Sequence, residues 1–396
     1  MKAPIFLLAL IAAVTATSFY DGSQSALGDF LLGSHPGFDV DLSAPRLVQL
    51  NDQDEPVVMT ELEKLQAKAR GVRFFDITET PGLGSHARVR ATRTAAYPAP
   101  RHMEAVRSVI DTLEIQNLRD NLETFTSFWT RYYRSLSGKQ SQRWLLEKIK
   151  EITRNYAPEA LQEFISVEEF THSWTQSSII LRINGSSTTD DGVVILGAHL
   201  DSINQKSPFL RAPGADDDGS GSMSILEAYR ALVVAGFRPE RTVEFHWYSA
   251  EEGGLLGSQA IAHDYEARGV NVYAMTQYDM TAFVKRGTEE RVGIVTDDVD
   301  SGLISYNKKL IELYLDIPWV ETTCGFACSD HASWRKAGYP SIYLLESKFM
   351  ENNREYGHTE FDLYDISDEF SFPHMLEFSK LAVAFAIELG GWADNE

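Results

Sequence analysis

The chain has 396 residues, 43% of them apolar, and a formal charge of -21, so it can bury a large core in one or two domains. That charge excludes nucleic acid and an anionic membrane as partners, because both would be repelled. Residues 1–17 run from a basic start through an apolar stretch over 5–14 to small residues, the pattern of a secretory signal. The apolar stretch is well short of the about twenty residues of a membrane span, and an extracellular location is expected.

Residues 18–90 show little periodicity apart from a helix expected over 59–70, where Thr60 caps and Glu63 completes a capping box. The basic cluster Arg88, Arg90 and Arg93 closes this stretch. A propeptide removed near residue 90 is the expectation, the alternative being an arm that stays attached. Residues 91–396 then form one catalytic domain. Helices are expected over 102–118, 121–136 and from Ser137 or Ser141 to about 155. Strands are expected over 165–173 and 177–183, followed by a glycosylation sequon at Asn184.

From residue 193 onward, apolar strands alternate with helices. Strands are expected over 193–198, 241–248, 270–277, 291–296, 317–322 and 341–345, and helices over 220–235, 255–268, 302–314 and 372–389. The pattern predicts an α/β fold, a central, mostly parallel mixed sheet flanked by helices, with its site at strand ends. Cys324 and Cys328 are the two cysteines. In an oxidising compartment this even count at short spacing suggests one small-loop disulfide, with free thiols as the alternative.

Strand ends deliver His199 and Asp201, then Glu251 and Glu252, then Asp279; Asp217 lies in the triplet Asp216-Asp217-Asp218 and His358 in a polar loop. Three adjacent carboxylates repel one another unless solvated or bound to a cation. Two imidazoles with carboxylates suit zinc better than calcium, and the donors are too many for one catalytic ion with an open position. Two ions bridged by Asp217 fit the count, one on His199 and Asp279, the other on Glu252 and His358. Asp201 is placed to orient His199. Glu251 remains as general base and then acid, on a tight turn made by Gly253 and Gly254.

These motifs resemble the zinc aminopeptidases of the M28 family, closely the secreted bacterial and fungal leucyl aminopeptidases. The matching runs are Gly-Ala-His199-Leu-Asp201-Ser, Pro-Gly-Ala-Asp-Asp217-Asp-Gly-Ser-Gly, Ser-Ala-Glu251-Glu252-Gly-Gly, Gln-Tyr-Asp279-Met, Gly-His358-Thr and Thr-Cys324-Gly-Phe-Ala-Cys328-Ser-Asp-His331. In the N-terminal stretch Glu61-Leu-Glu-Lys-Leu and Phe74-Phe-Asp-Ile-Thr-Glu79 match as well. The resemblance implies removal of a bulky apolar N-terminal residue from peptides by two zinc ions sharing Asp217 and a water or hydroxide. It also implies a Cys324–Cys328 disulfide beside the substrate pocket, and Met280, Leu345 and Phe349 near the first side chain. Phe326 departs from the tyrosine common in relatives. His331 is read as structural rather than as a ligand. The expected partners are peptides with a free amino terminus and the chain's own propeptide, and a monomer is the habit of the class. Rival readings are a carboxypeptidase, dipeptidase or glutaminyl cyclase on the same fold, or a secreted binding domain without catalysis.

Overall fold

The computed structural model describes residues 35–51, 55–87, 97–189 and 192–393. The signal and the basic cluster at Arg88, Arg90 and Arg93 lie outside the described residues, and the architecture is that of the unit Gly37–Glu396. The N-terminal segment contains β1 (Pro45–Gln49), β2 (Val57–Thr60), α1 (Glu61–Ala69) and β3 (Phe75–Asp76). The strands pair antiparallel in the order β2-β1-β3. They have two to five residues each, too short for an alternating pattern to show in the sequence. Thr60 and Glu63 form the expected capping box at the start of α1.

A buried charge network ties this segment together. Arg46 Nε lies 2.6 Å from Glu61 Oε2. Lys64 Nζ lies 3.0 Å from the same oxygen and 2.9 Å from Asp76 Oδ2. The segment also docks on the turn that carries Glu251 and Glu252, since Lys64 Nζ donates to Gly253 O and Asp76 N to Gly254 O.

Three helices come next, α2 (Met103–Ile110), α3 (Ile115–Thr126) and α4 (Leu136–Tyr156), with the short α5 (Glu159–Gln162). The first two are shorter than the sequence predicts. Thr112 Oγ1 donates back to Val109 O, and the hydroxyls of Thr126 and Ser127 donate to Leu122 O and Thr124 O, local bonds that compete with continuing a helix. Ser135 caps α4, accepting from Gly138 N, rather than Ser137 or Ser141.

The remaining elements are β4 (Ile165–Phe170), β5 (Ser178–Ile183), β6 (Val193–His199), α6 (Gly221–Val234), β7 (Val243–Tyr248), α7 (Leu256–Arg268), β8 (Val272–Tyr278), β9 (Val292–Val295), α8 (Ser301–Tyr314), β10 (Trp319–Thr322), α9 (His331–Lys336), β11 (Ser341–Leu345) and α10 (Phe372–Gly390). Eight strands make one mixed sheet in the order β10-β9-β11-β8-β6-β7-β5-β4. The pairs β7-β6, β6-β8, β8-β11 and β9-β10 are parallel. Every residue of β6 and β7 is buried. Because side chains alternate along a strand, Val194, Leu196 and Ala198 join the core beneath α6 and α10, while Val193 and Ile195 join the opposite core with Tyr265 and Trp334. Among the described residues no helix is long and apolar enough to cross a membrane.

Burial pushes the Asp76 carboxyl up, but Lys64 and Thr78 outweigh it and hold the group below its usual value. Its stabilising contribution is therefore present above about pH 4 and is lost as the pH falls further. Amide-exchange protection of residues 61–76, corrected for intrinsic rates, should weaken below that pH. An Asp76→Ala chain should lose about 1.5–3 kcal/mol of stability in urea titrations, because the buried Lys64 keeps Glu61 but loses one of its two carboxylate partners.

Candidate metal centre

The parallel strands β6, β7 and β8 are neighbours, with His199 paired to Tyr248 and Gly197 to Gln277. Their carboxyl ends therefore finish together, about 4.8 Å apart from strand to strand, and each leads into an acidic or imidazole side chain. His199 ends β6, Glu251 and Glu252 sit in the turn after β7, and Asp279 comes directly after β8. Asp217 comes from the kinked stretch Ala215–Ser220 ahead of α6, where its own backbone is not helical (φ -101°, ψ 99°), and His358 from the loop between β11 and α10.

These residues form two groups that share Asp217, one with His199 and Asp279, the other with Glu252 and His358, and within each group the donor atoms lie within 4.8 Å of one another. Asp217 turns one oxygen to each: Oδ1 lies 3.0 Å from His199 Nε2, and Oδ2 lies 2.8 Å from His358 Nε2. His199 Nε2 is 3.6 Å from Asp279 Oδ1, and His358 Nε2 is 3.1 Å from Glu252 Oε2. Burial disfavours charge on both imidazoles. Nevertheless Asp279 raises His199, and Glu252 and Asp217 raise His358, well above the ordinary histidine value. Against burial, His358 and His199 hold Asp217 well below the carboxylate range. Glu252 Oε1 is buried without a hydrogen-bond partner. Such a donor set calls for added positive charge, and two imidazoles with three carboxylates at these separations fit zinc.

Other side chains brace the donors. The Asp201 carboxylate accepts the N–H groups of Glu251 (3.0 Å) and Glu252 (3.2 Å), and it lies 3.5 Å from His199 Nδ1, whose nearer neighbour is the Asp201 main-chain oxygen at 3.2 Å. The flanking aspartates of the triplet do not join the donor groups. Asp218 accepts from the backbone N–H groups of His199, Gly221 and Met280, and Asp216 accepts from Ala282 N. Asp362 accepts from Asp216 N and Asp217 N. Ser329 Oγ donates to Asp279 Oδ2 at 2.5 Å, and Tyr343 donates to Asp279 O. Sequence reasoning misses Asp362, Ser329 and Tyr343, because each is distant in the chain from the residue it supports and no motif joins them.

Glu251 lines the cleft beside both groups. Burial, then the charges of Glu252 and Asp279, push its carboxyl well above the usual value against the pull of Lys68 and His199. The turn that carries it is strained. Ala250, Leu255, Met280, Ala327 and His358, all at or next to the cleft, have positive φ between 50° and 62°, a conformation that costs of order 1 kcal/mol for a non-glycine residue and clusters at functional sites. Gly254, at φ 101°, could not carry a Cβ without meeting Phe74 and Asp76 N at 2.9 Å.

Of the four expected pocket residues, Met280 and Phe349 line the cleft, together with Tyr343, Ala327, Cys328, Asn352 and others. Phe326 does not; its ring meets the edge of Phe75 at 5.3 Å, in an apolar cluster with Ile77, Leu255 and Ala332. Leu345 does not line it either; it shares a face of β11 with Tyr343 but is fully buried in the cluster of Val295, Cys324 and Tyr343, against which Phe349 packs. Cys324 and Cys328 form a disulfide. His331 stacks on Tyr343, with ring centroids 5.2 Å apart, and burial pushes its pKa down to about 3. It lies within ligand reach of the two sulfurs, but these are consumed in the disulfide. Asn184 is exposed just after β5.

Residues 178–382 match the family model described as Peptidase family M28. Leucine aminopeptidase 1 of Penicillium rubens is 44% identical over 365 residues, covering 87% of this chain and 92% of that protein. Leucine aminopeptidase 1 of Colletotrichum graminicola is 47% identical over 344 residues, covering 84% of this chain and 82% of its own. The crystal structure of the LapA aminopeptidase of Legionella pneumophila superposes with a TM-score of 0.75 at 28% identity, covering 89% of this chain and 95% of that one.

The bracing predicts one sharp packing limit. A Cβ on Gly221 would lie 2.3 Å from both Asp218 Oδ1 and Tyr278 O, and neither can retreat without disturbing His199 or β8. Gly221→Ala should lower stability by about 2–3 kcal/mol, measured as a fall in the thermal midpoint.

Proposed function

The chain belongs to peptidase family M28 and is a peptide hydrolase, an aminopeptidase, and from that premise we propose that it is a secreted enzyme that removes leucine and other bulky apolar residues from peptide amino termini with two zinc ions. We take residues 1–17 as signal and the stretch from 18 to about 90 as a propeptide. The observation that carries the two-ion reading is Asp217, which offers one carboxylate oxygen to each imidazole-containing group.

Zinc held by His199, Asp217 and Asp279, and by Asp217, Glu252 and His358, would supply Lewis acidity and lower the pKa of the attacking water. The chain's own residues do the rest. Glu251 belongs to neither donor group and faces the cleft, so its carboxylate takes the proton of the attacking water and hands it to the departing amine. Asp201 fixes the backbone on which Glu251 and Glu252 stand, which keeps base and ligand in register. The excess of carboxylates draws in the ammonium of a free amino terminus. Met280 and Phe349 give the cleft an apolar wall, which supports the preference for an apolar first residue.

The processed chain should release chromophore from leucyl-p-nitroanilide, lose that activity to a chelator and regain it with zinc. Glu251→Ala should lower kcat by about 10²–10⁴-fold while the zinc content stays the same. Asp217→Asn should lose metal from both positions in elemental analysis, whereas Asp279→Asn and Glu252→Gln should each lose it from one. Equal cleavage of an N-acetylated peptide would defeat the aminopeptidase specificity, and cyclisation of N-terminal glutamine in place of peptide hydrolysis would favour the cyclase reading.

A further inference from the structure

One cation already reaches the centre, and it comes from the N-terminal segment. Lys68, in the last turn of α1, holds its Nζ 2.5 Å from Glu252 Oε2 and 3.8 Å from Glu251 Oε2. The same Glu252 oxygen lies 3.1 Å from His358 Nε2, so the ammonium and the imidazole meet at one atom. Both ion pairs of Lys68 fall on the Glu251 and Glu252 side; the group of His199, Asp217 and Asp279 lies beyond them. The ammonium is not a chance surface contact. Its side chain is 18% exposed, and α1 is fixed by the buried Arg46, Glu61, Lys64 and Asp76 network. That network is bolted to Gly253 and Gly254, the residues just after Glu252. Beyond α1, residues 71–74 line the cleft, where the Arg73 guanidinium stacks on Phe349 at 4.6 Å from the ring centroid.

Narrowing the cleft would hinder substrate by bulk alone. An ammonium on a ligand oxygen does something different. It occupies the Glu252 oxygen that faces His358, and it repels a second cation at close range in a site shielded from water. Resting on the two-ion reading above, we propose that Lys68 is a built-in cationic stopper that keeps the position formed by Asp217, Glu252 and His358 poorly occupied by metal while the N-terminal segment is attached. The position of His199, Asp217 and Asp279 fills first, and loss of the segment opens the other. The segment thereby acts on metal loading as well as on access.

The test is equilibrium dialysis of the full chain, purified before processing, against buffered free zinc, with bound metal counted by atomic emission. The wild-type chain should take up one ion tightly and a second at least tenfold more weakly than Lys68→Met or Lys68→Gln chains. Lys68→Arg, which keeps the charge, should behave as wild type. Two uncharged variants of different polarity are used so that misfolding of either leaves the comparison intact. Superimposable two-ion isotherms for wild type and the uncharged variants would overturn the proposal, as would second-ion binding in the unprocessed wild type equal to that in the processed chain. A processed chain that binds two ions yet hydrolyses no free-amine substrate would instead overturn the functional reading, and the dialysis result would stand by itself.

Discussion

Repulsion among carboxylates crowded where three parallel strands end is the constraint around which the molecule is arranged. Asp201, Asp216, Asp217, Asp218, Glu251, Glu252 and Asp279 converge there, and Glu346 and Asp362 lie close behind, both pushed up to about 8 by burial. Backbone N–H groups offset part of this charge. Asp201 takes those of residues 251 and 252, Asp218 those of 199, 221 and 280, and Asp362 those of 216 and 217. A carboxylate that accepts two or three such bonds is satisfied where it stands. Asp217, Glu252 and Asp279 instead turn toward imidazoles, and it is this remainder of uncompensated charge that makes the place a cation site.

The sheet explains why these groups arrive together. With β6 between β7 and β8 and all three running the same way, one edge of the sheet gathers the turns that leave all three strands. The strands are buried on both faces, so their register is held by two separate cores, one under α6 and α10 and one under α7 and α9. The strained residues sit in the turns beyond the strand ends, at 250, 255 and 280, and at 358 in the long loop before α10. Rigid strands below and tight turns above give the donors little freedom to move apart.

Much of this is legible in the sequence because it is local. The continuous apolar run ending in His199, the paired glutamates before Gly253 and Gly254, and the capping box of Thr60 and Glu63 each declare their geometry within a few residues. Helix ends are less legible, since the hydroxyls of Thr112, Thr126 and Ser127 stop α2 and α3 through bonds that periodicity does not register. The wall of the cleft is where sequence and structure part. Resemblance assigns Phe326 and Leu345 to the pocket, but Leu345 is fully buried beside Tyr343 and Phe349, and Phe326 packs on Phe75 of the N-terminal segment. The braces from Ser329, Tyr343 and Asp362, and the approach of Lys68, depend on tertiary contacts across dozens to hundreds of residues, which no pattern along the chain encodes.

The two hydrogen bonds that the Asp201 carboxylate accepts from the backbone of Glu251 and Glu252 weld the loop after β6 to the loop after β7. Any drift in one drags the other, so the reacting machinery can be inherited only as a block. The cleft wall has a strut of its own, the Glu346 carboxylate, which accepts the N–H groups of Ala282 and Phe283 after β8 and of Asn353 in the long stretch before α10, and the Met280 and Phe349 side chains hang from backbone held in this way. New substrate tastes can therefore arise by exchanging wall residues one at a time, while the chemistry beneath them is left untouched across a lineage.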